Sequence, residues 1–123
     1  MFITPLKVQP IRGTDKRCVL AELIYRDLVH GRIVTPRGFI SNYASIPKWV
    51  PRWILDQDGP AIRDASVVHD YLYSIYCLLD ISRKEADAVL YRAMLSSGSS
   101  RLTARVAYWS VRLFGGSHWK QNA

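Results

Sequence analysis

The order of apolar and polar side chains divides the chain into a strand-forming front and a helical back. In the first third, residues 17–25 are apolar enough for a strand with one buried face, and residues 26–31 supply a turn. Residues 32–36 resume an extended pattern, and the proline that ends it favours a sheet edge or a strand end. Residues 38–40 predict a further short strand, so the economical interpretation is a small antiparallel sheet or meander.

The middle of the chain interrupts this pattern. Residues 45–55 hold two prolines and two tryptophans. Ser45 is suited to cap a short helix, in which Pro47 is tolerated only in the first turn. Because Pro51 interrupts anything longer, we expect one or two irregular turns. Residues 56–60, with the sequence Asp-Gln-Asp-Gly-Pro, are typical of a break between elements.

From about residue 60 onward the apolar positions follow a helical period. The first predicted helix runs from about residue 60 to 76, and His69 lies in the middle of its apolar face, which comprises Ile62, Ala65, Leu72, Tyr73 and Tyr76. Ser82 and Glu85 form a capping-box pattern that begins a second helix, ending near residues 96–98. The buried stripe of this second helix is predicted to contain Ala86, Val89, Leu90, Ala93 and Met94.

A third helix is predicted from about Arg101 to Phe114, before a pair of glycines. One of its faces carries Leu102, Val106, Trp109 and Leu113, and an adjacent face carries Arg101, Arg105 and Arg112. The fold class is therefore α+β: a small antiparallel sheet in the N-terminal third packs on a three-helix C-terminal part that contains an antiparallel helix hairpin. The length supports a single domain over residues 1–123.

Composition indicates a folded domain and limits its location. Of the 123 residues, 49% are hydrophobic and 22% are charged, which argues against a disordered chain. No apolar run approaches the ~18–20 residues of a membrane-spanning helix, and the N-terminus lacks the pattern of a signal peptide. Cys18 and Cys77 are isolated and lack metal-ligand spacing, so we expect two buried thiols rather than a disulfide or a zinc site.

The net charge of +7 points to an anionic partner without identifying it. A basic balance favours nucleic acid, an anionic lipid surface or an acidic protein surface, and it also serves as a plain solubilising surface. The basic residues are dispersed, and no Lys/Arg-rich block is interleaved with aromatic residues. Specific binding of nucleic acid is therefore not expected.

The residues that suggest chemistry lie on the first two helices. About five residues separate these helices, so they form an antiparallel hairpin in which His69 faces Asp87 at the same height. Tyr73 lies one turn from His69 on the same face, whereas Asp70 is rotated by about 100°. A carboxylate that holds one ring nitrogen makes the other a base, and Asp70 suits a hard cation or a substrate. The same groups also form a structural network that ties two helices together, and we favour that role.

The loop before the first helix is a second candidate site. Its small polar residues are Ser41, Asn42 and Ser45. Hydroxyls, an amide and backbone N–H groups in such a loop can meet a bound anion or a metal-bound water. The ordinary alternative is that Asn42 makes a turn and Ser45 caps a helix.

The third helix carries a basic stripe, beside Trp109, that suits an anionic lipid surface or a protein partner. Its residues are Arg101, Arg105 and Arg112. The alternative is that this stripe is simply the solvated side of the helix.

Four segments together resemble a family of small uncharacterised phage and prophage proteins, known as a domain of unknown function. They are residues 38–47 (GFISNYASIP), 69–73 (HDYLY), 82–87 (SRKEAD) and 108–116 (YWSVRLFGG). That family commonly has Asp where this chain has Asn42. The resemblance implies a viral origin. It points to a virion-associated or accessory protein of tail or particle assembly, with phage structural proteins as partners, in the virion or the host cytoplasm.

The His-Asp-x-x-Tyr helix is also similar to that of small calcium-dependent phospholipases of the secreted type, including those built into parvovirus capsids. This resemblance implies that His69 activates water, that Asp70 binds Ca²⁺, and that Tyr73 and Asp87 orient His69. No Gly-x-Gly calcium loop precedes the helix, and the flanking helix cysteines of the secreted enzymes are absent. The rival to a structural role is thus a hydrolase acting on a lipid, peptidoglycan or another envelope substrate, with His69 as general base.

Overall fold

The computed structural model describes residues 1–42 and 52–120, and within residues 52–58 it describes only the side chain of Trp53. The strands precede the helices, so the predicted α+β arrangement is confirmed. The strands are β1 (Val8–Pro10), β2 (Arg17–Val19), β3 (Leu23–Asp27), β4 (Gly31–Thr35) and β5 (Ile40–Ser41). The helices are α1 (Arg52–Tyr73), α2 (Arg83–Ser96) and α3 (Arg101–Phe114), followed by a 3₁₀ turn at Gly115–His118. Irregular turns are predicted within residues 45–55: residues 45–51, with the cap Ser45, lie outside the described residues, whereas residues 52–55 belong to α1.

Strands β3 and β4 form the hairpin that the sequence predicts. Their antiparallel register pairs Leu23 with Thr35 and Asp27 with Gly31. Side chains alternate across the strands, and Leu23, Tyr25 and Asp27 face the buried side. Gly31 closes the turn with a φ of +73°, a left-handed conformation that glycine adopts without the Cβ penalty of other residues.

The single strand predicted over residues 17–25 is wrong, because the chain changes sheets within it. Strand β2 pairs with β1 and β5 in a three-stranded antiparallel sheet, whereas β3 pairs only with β4 in a two-stranded one. Strand β1 was not predicted, since three residues ending in proline carry no alternating pattern. Cys18 on β2 and Cys77 are free thiols, as expected, although both are half-buried rather than buried.

Helix α1 begins at Arg52 rather than near residue 60, and Pro60 lies inside it. The predicted break at residues 56–60 is therefore wrong. Proline in a helix interior costs about 3 kcal/mol, and tertiary packing can override such local preferences. The helix ends at Tyr73, before the predicted residue 76, and Tyr76 is 56% exposed rather than part of the buried face. The rest of that face is buried, including His69.

Helix α2 lies between α1 and α3 and contacts both. The predicted capping box is confirmed, since the Ser82 hydroxyl accepts a bond from the Glu85 N–H and the Glu85 carboxylate accepts one from the Ser82 N–H. The predicted stripe of α2 is buried, and Asp87 is buried with it. Strand β3 packs on α2, while β4 and β5 pack on α1. Among the described residues, none of the helices combines the length and apolar character needed to cross a membrane.

Helix α3 has the predicted bounds, but the small side chains form the face that packs. The buried residues are Thr103, Ala104, Ala107, Ser110 and Val111. The larger apolar residues Leu102, Trp109 and Leu113 remain exposed. Small residues let a helix approach its neighbour closely, so α3 packs without using its bulky apolar face.

A partly buried ion pair joins the hairpin to α2. Arg92 donates from Nε to Oδ1 of Asp27 at 2.9 Å and from Nη2 to Oδ2 at 3.0 Å. The backbone N–H groups of Val29 and His30 also donate to Asp27 Oδ2. Burial opposes the charge of Asp27, but these donors outweigh it and lower the pKa of the carboxyl below its ordinary value. Burial and the neighbouring Asp27 raise the pKa of Tyr25 to about 12.

We predict that Arg92→Met destabilises the protein by about 2–4 kcal/mol, because it leaves a buried carboxylate without its charged partner. Lys84→Met is the matched control on the same helix, where the side chain is exposed, and should change the free energy of unfolding by less than about 0.5 kcal/mol. Urea denaturation at pH 7 measures both. Equal effects of the two substitutions would contradict a stabilising role for the Asp27–Arg92 pair.

Candidate functional site

The predicted His69–Asp87 hydrogen bond is present at the centre of the helical part. His69 Nε2 lies 2.7 Å from Asp87 Oδ1, and the Tyr73 hydroxyl donates to the same oxygen at 2.5 Å. His69 and Tyr73 are 3% exposed and Asp87 is 0% exposed. An ionised carboxylate only accepts hydrogen bonds, so His69 donates from Nε2. The hairpin geometry therefore brings together three of the predicted site residues.

Arginine completes this cluster from two directions. Arg112 on α3 donates from Nη1 to Asp87 Oδ2 at 2.8 Å. Arg83, at the start of α2, donates from Nε to the Tyr73 hydroxyl at 3.2 Å. Its Nη2 donates to the carbonyls of Val111 and Arg112 at 2.7 and 2.9 Å, so Arg83 also caps the end of α3. We call His69, Tyr73, Arg83, Asp87 and Arg112 the Asp87 cluster.

The placement of Arg112 corrects the predicted basic stripe. Its guanidinium binds Asp87 and is partly buried, whereas Arg101 and Arg105 are exposed. Sequence reasoning did not include Arg83 in the site. The signal that could have identified it is the capping box. The box starts α2 at residue 83, and α1 ends with Tyr73 at the same end of the hairpin, so Arg83 and Tyr73 lie close together.

Hydrogen bonding decides the charge state of Asp87. Burial alone would raise its pKa, but the bonds from His69, Tyr73 and Arg112 outweigh burial and lower the pKa below its ordinary value. Burial and the bond to Asp87 raise the pKa of Tyr73, so its hydroxyl stays protonated as a donor. The Asp87 cluster thus contains one negatively charged carboxylate and two positively charged guanidinium groups.

The segment after α3 covers Tyr73. The Tyr73 and Trp119 rings meet edge to face, with their centroids 5.1 Å apart, and the Lys120 N–H donates to the Tyr73 carbonyl. Gly115 passes so close that a Cβ there would lie 3.0 Å from the Tyr73 hydroxyl. The chain at residue 115 therefore packs directly on the hydroxyl that binds Asp87.

Asp70 lies outside the Asp87 cluster, as the helical rotation predicts. It is buried, and the Ser41 hydroxyl of β5 donates to its Oδ2 at 2.5 Å. The structure therefore joins Ser41 to Asp70, whereas Asn42 is exposed. Ser45 lies outside the described residues. The Ser41–Asp70 bond ties the first sheet to α1.

The described residues do not fit a calcium site. Ca²⁺ takes six to eight oxygen ligands, often from several carboxylates. Among the side chains that the structure describes, which exclude those of residues 43–52 and 54–58, no group of three or more His, Cys, Asp or Glu is placed to hold a metal ion. Asp87 already accepts bonds from three side chains. The described side chains thus offer no ready-made metal site, and the metal role that the resemblance implies for Asp70 stays a prediction.

The fold and the cluster define a small α+β domain in which one buried carboxylate links three helices. The chain belongs to the DUF1353 family, described as a protein of unknown function, whose profile matches residues 18–111. This match covers the hairpin, α1, α2 and most of α3, and it includes every residue of the Asp87 cluster except Arg112. Comparison with curated proteins and with solved structures gives no significant match.

We predict that Asp87 contributes stability that is lost in acid. Because its pKa is lowered in the folded state, this contribution is fully present above the unfolded value of about 4 and disappears as the pH falls through the folded value. The gap in unfolding free energy between wild type and Asp87→Asn should therefore shrink between about pH 5 and pH 2.

Urea denaturation across this pH range measures the gap. Asp80→Asn, at an exposed position in the α1–α2 loop, controls for the loss of a surface charge. A gap for Asp87→Asn that stays constant down to pH 2 would contradict the ionised, hydrogen-bonded state of this carboxylate.

Proposed function

We propose that this protein is a structural or interaction component of a phage particle, acting in tail or particle assembly, and that the Asp87 cluster holds its helices together. The observation that supports this role most is that Asp87 is fully buried and accepts bonds from His69, Tyr73 and Arg112. A buried charge with complete pairing stabilises and orders the groups around it.

Two features of the cluster favour this role over acid–base catalysis. A general base must reach its substrate or a water molecule, and His69 is only 3% exposed. A catalytic His–Asp pair also depends on the carboxylate to stabilise the imidazolium. Here Arg112 binds that carboxylate and Arg83 binds Tyr73, so two positive charges already surround the one negative charge.

The phage assignment rests on the sequence resemblance described above, which extends over residues 38–116. Phage structural proteins would then be the partners, and the virion or the host cytoplasm the location. The many exposed apolar side chains, among them Leu28, Val29 and Leu78, are consistent with a protein that is covered in an assembly.

The assembly role is tested on particles of a phage that encodes this chain. We expect the protein to co-purify with particles through density-gradient centrifugation, at a constant ratio to the major structural proteins by mass spectrometry. Its presence only in the particle-free lysate would contradict the proposed component role.

The role of the Asp87 cluster is tested by His69→Gln. The substitution removes one charge-assisted hydrogen bond and leaves a small cavity beside it. Together these changes should lower the free energy of unfolding by about 1–3 kcal/mol. His118→Gln is the control, since His118 is exposed on the 3₁₀ turn. If His69→Gln is as stable as His118→Gln, the structural role of His69 is wrong.

A hydrolase is the second candidate, and one observation favours it. Asp87 Oδ1 binds Nε2 of His69 and the Tyr73 hydroxyl together, which is the arrangement that orients an imidazole for general-base catalysis through Nδ1. The substrate would be an envelope lipid or peptidoglycan.

The same variants distinguish this candidate. Wild type, His69→Gln and His118→Gln are assayed for release of fatty acid from phospholipid vesicles and of fragments from peptidoglycan, with and without Ca²⁺. We expect no release above background and no effect of Ca²⁺ on the melting temperature. Turnover that is lost only in His69→Gln would favour the hydrolase, and a Ca²⁺-dependent rise in melting temperature that Asp70→Asn abolishes would restore the metal role.

A further inference from the structure

The outward side of α3 carries a continuous apolar strip. Leu102, Trp109 and Leu113 are 66%, 58% and 69% exposed, and Phe114 at the end of the helix is 70% exposed. With Val106, the first three follow a spacing of three and four positions, so they lie along one side of the helix, and Phe114 adjoins them at the helix end, rotated by about 100° from Leu113. The strip from residue 102 to 113 is about 16 Å long at 1.5 Å per residue. We call these five residues the α3 strip.

Within the described part of the chain, the fold leaves most of the α3 strip unpacked, and only Val106 is half-buried. The buried side of α3 is made of Thr103, Ala104, Ala107, Ser110 and Val111. A shallow groove of about 310 Å³ runs along the strip, lined by Arg105, Val106, Trp109, Ser110, Leu113 and Phe114. Exposing several large apolar side chains together is costly, and such patches commonly mark interaction surfaces.

The charge around the α3 strip indicates which kind of partner would bind it. Every one of the ten acidic residues lies at or before Asp87, so residues 88–123 contain none, although they hold five of the seventeen Lys and Arg residues. Arg101 and Arg105 are exposed on α3, while Arg112 is paired with Asp87. The face that contains the α3 strip is therefore apolar along its centre and positive at its side, with no carboxylate on the helix.

This charge argues against a second copy of the chain as the occupant. A symmetric dimer buries the same face of both subunits. Two α3 faces in contact would place the two exposed guanidinium groups of each subunit around one shared apolar contact, with no acidic residue on either helix to balance them. The occupant must instead supply negative charge beside an apolar interior.

We infer that the α3 strip docks on an anionic lipid bilayer, with α3 lying parallel to the membrane plane. Leu102, Leu113 and Phe114 would enter the boundary between head groups and acyl chains. Trp109 suits the interface itself, because its ring is apolar and its N–H is polar. Arg101 and Arg105 would meet the lipid phosphates. This inference goes beyond the proposed assembly role and does not depend on it.

Flotation with vesicles tests the inference on the full chain. One vesicle type contains 30% phosphatidylglycerol in phosphatidylcholine, and the other contains phosphatidylcholine alone. We expect binding to the first type, weakened by 0.5 M NaCl, and little binding to the second. Arg101→Gln with Arg105→Gln should lower the partition coefficient about fivefold for each charge. Trp109→Ser with Leu113→Ser should lower it at least about tenfold.

Matched controls come from the other end of the chain. Leu28→Ser with Arg32→Gln removes one exposed apolar side chain and one exposed charge from the β3–β4 hairpin, and should bind like wild type. Circular dichroism and melting temperature confirm that each variant folds, and these readouts, unlike flotation, report on the Asp87 cluster.

Three results would overturn the inference. The first is equal binding to both vesicle types. The second is an equal loss of binding in the hairpin control. The third is wild-type protein that ignores vesicles but forms a dimer in sedimentation velocity that Trp109→Ser with Leu113→Ser dissociates, because the strip would then be a contact between copies. Failure of flotation alone would leave the assembly role and the His69→Gln stability result unaffected.

Discussion

A carboxylate taken out of water must be met by donors, and Asp87 receives them from the helices on both sides of its own. His69 and Tyr73 approach from α1, and Arg112 approaches from α3. Removing any one of these contacts leaves part of a buried charge unpaired. The relative position of the three helices is therefore coupled to the charge state of one side chain, which an apolar core alone would not achieve.

The sheet is attached to the helices by the same kind of contact. Asp27 and Arg92 join the β3–β4 hairpin to α2, and Ser41 and Asp70 join β5 to α1. Each of these bonds links residues distant in sequence and involves a buried carboxylate. The apolar core surrounds them, so the domain combines non-directional burial with a few directional bonds that specify how the layers align.

The parts of this arrangement that depend on local spacing could be predicted from sequence. The short connection between α1 and α2 forces a hairpin, which places His69 opposite Asp87, and the Ser82–Glu85 capping box identifies the start of α2.

The parts that depend on tertiary contacts could not be predicted from sequence. Residues 17–25 hold one apolar run that the fold splits between two sheets, and α1 continues through Pro60 because packing overrides local preference. Arg112 lies on the same face of α3 as Arg101 in the sequence pattern. Only the packing of α3 on α2 determines that Arg112 binds Asp87. The exposure of the α3 strip also depends on this packing, because an apolar stripe does not show whether it meets the core or the solvent.

Gly115 shows how closely the end of α3 is adapted to the cluster. No left-handed conformation requires glycine there, because the residue caps α3 with ordinary right-handed angles. What disfavours a side chain is the Tyr73 hydroxyl, which would lie 3.0 Å from a Cβ and would have to move to relieve the contact. Position 115 therefore tolerates variation less than its place after a surface helix would indicate. Even the methyl group of alanine would press on a hydroxyl that donates to Asp87, so a change at the rim of the domain acts directly on its buried charge.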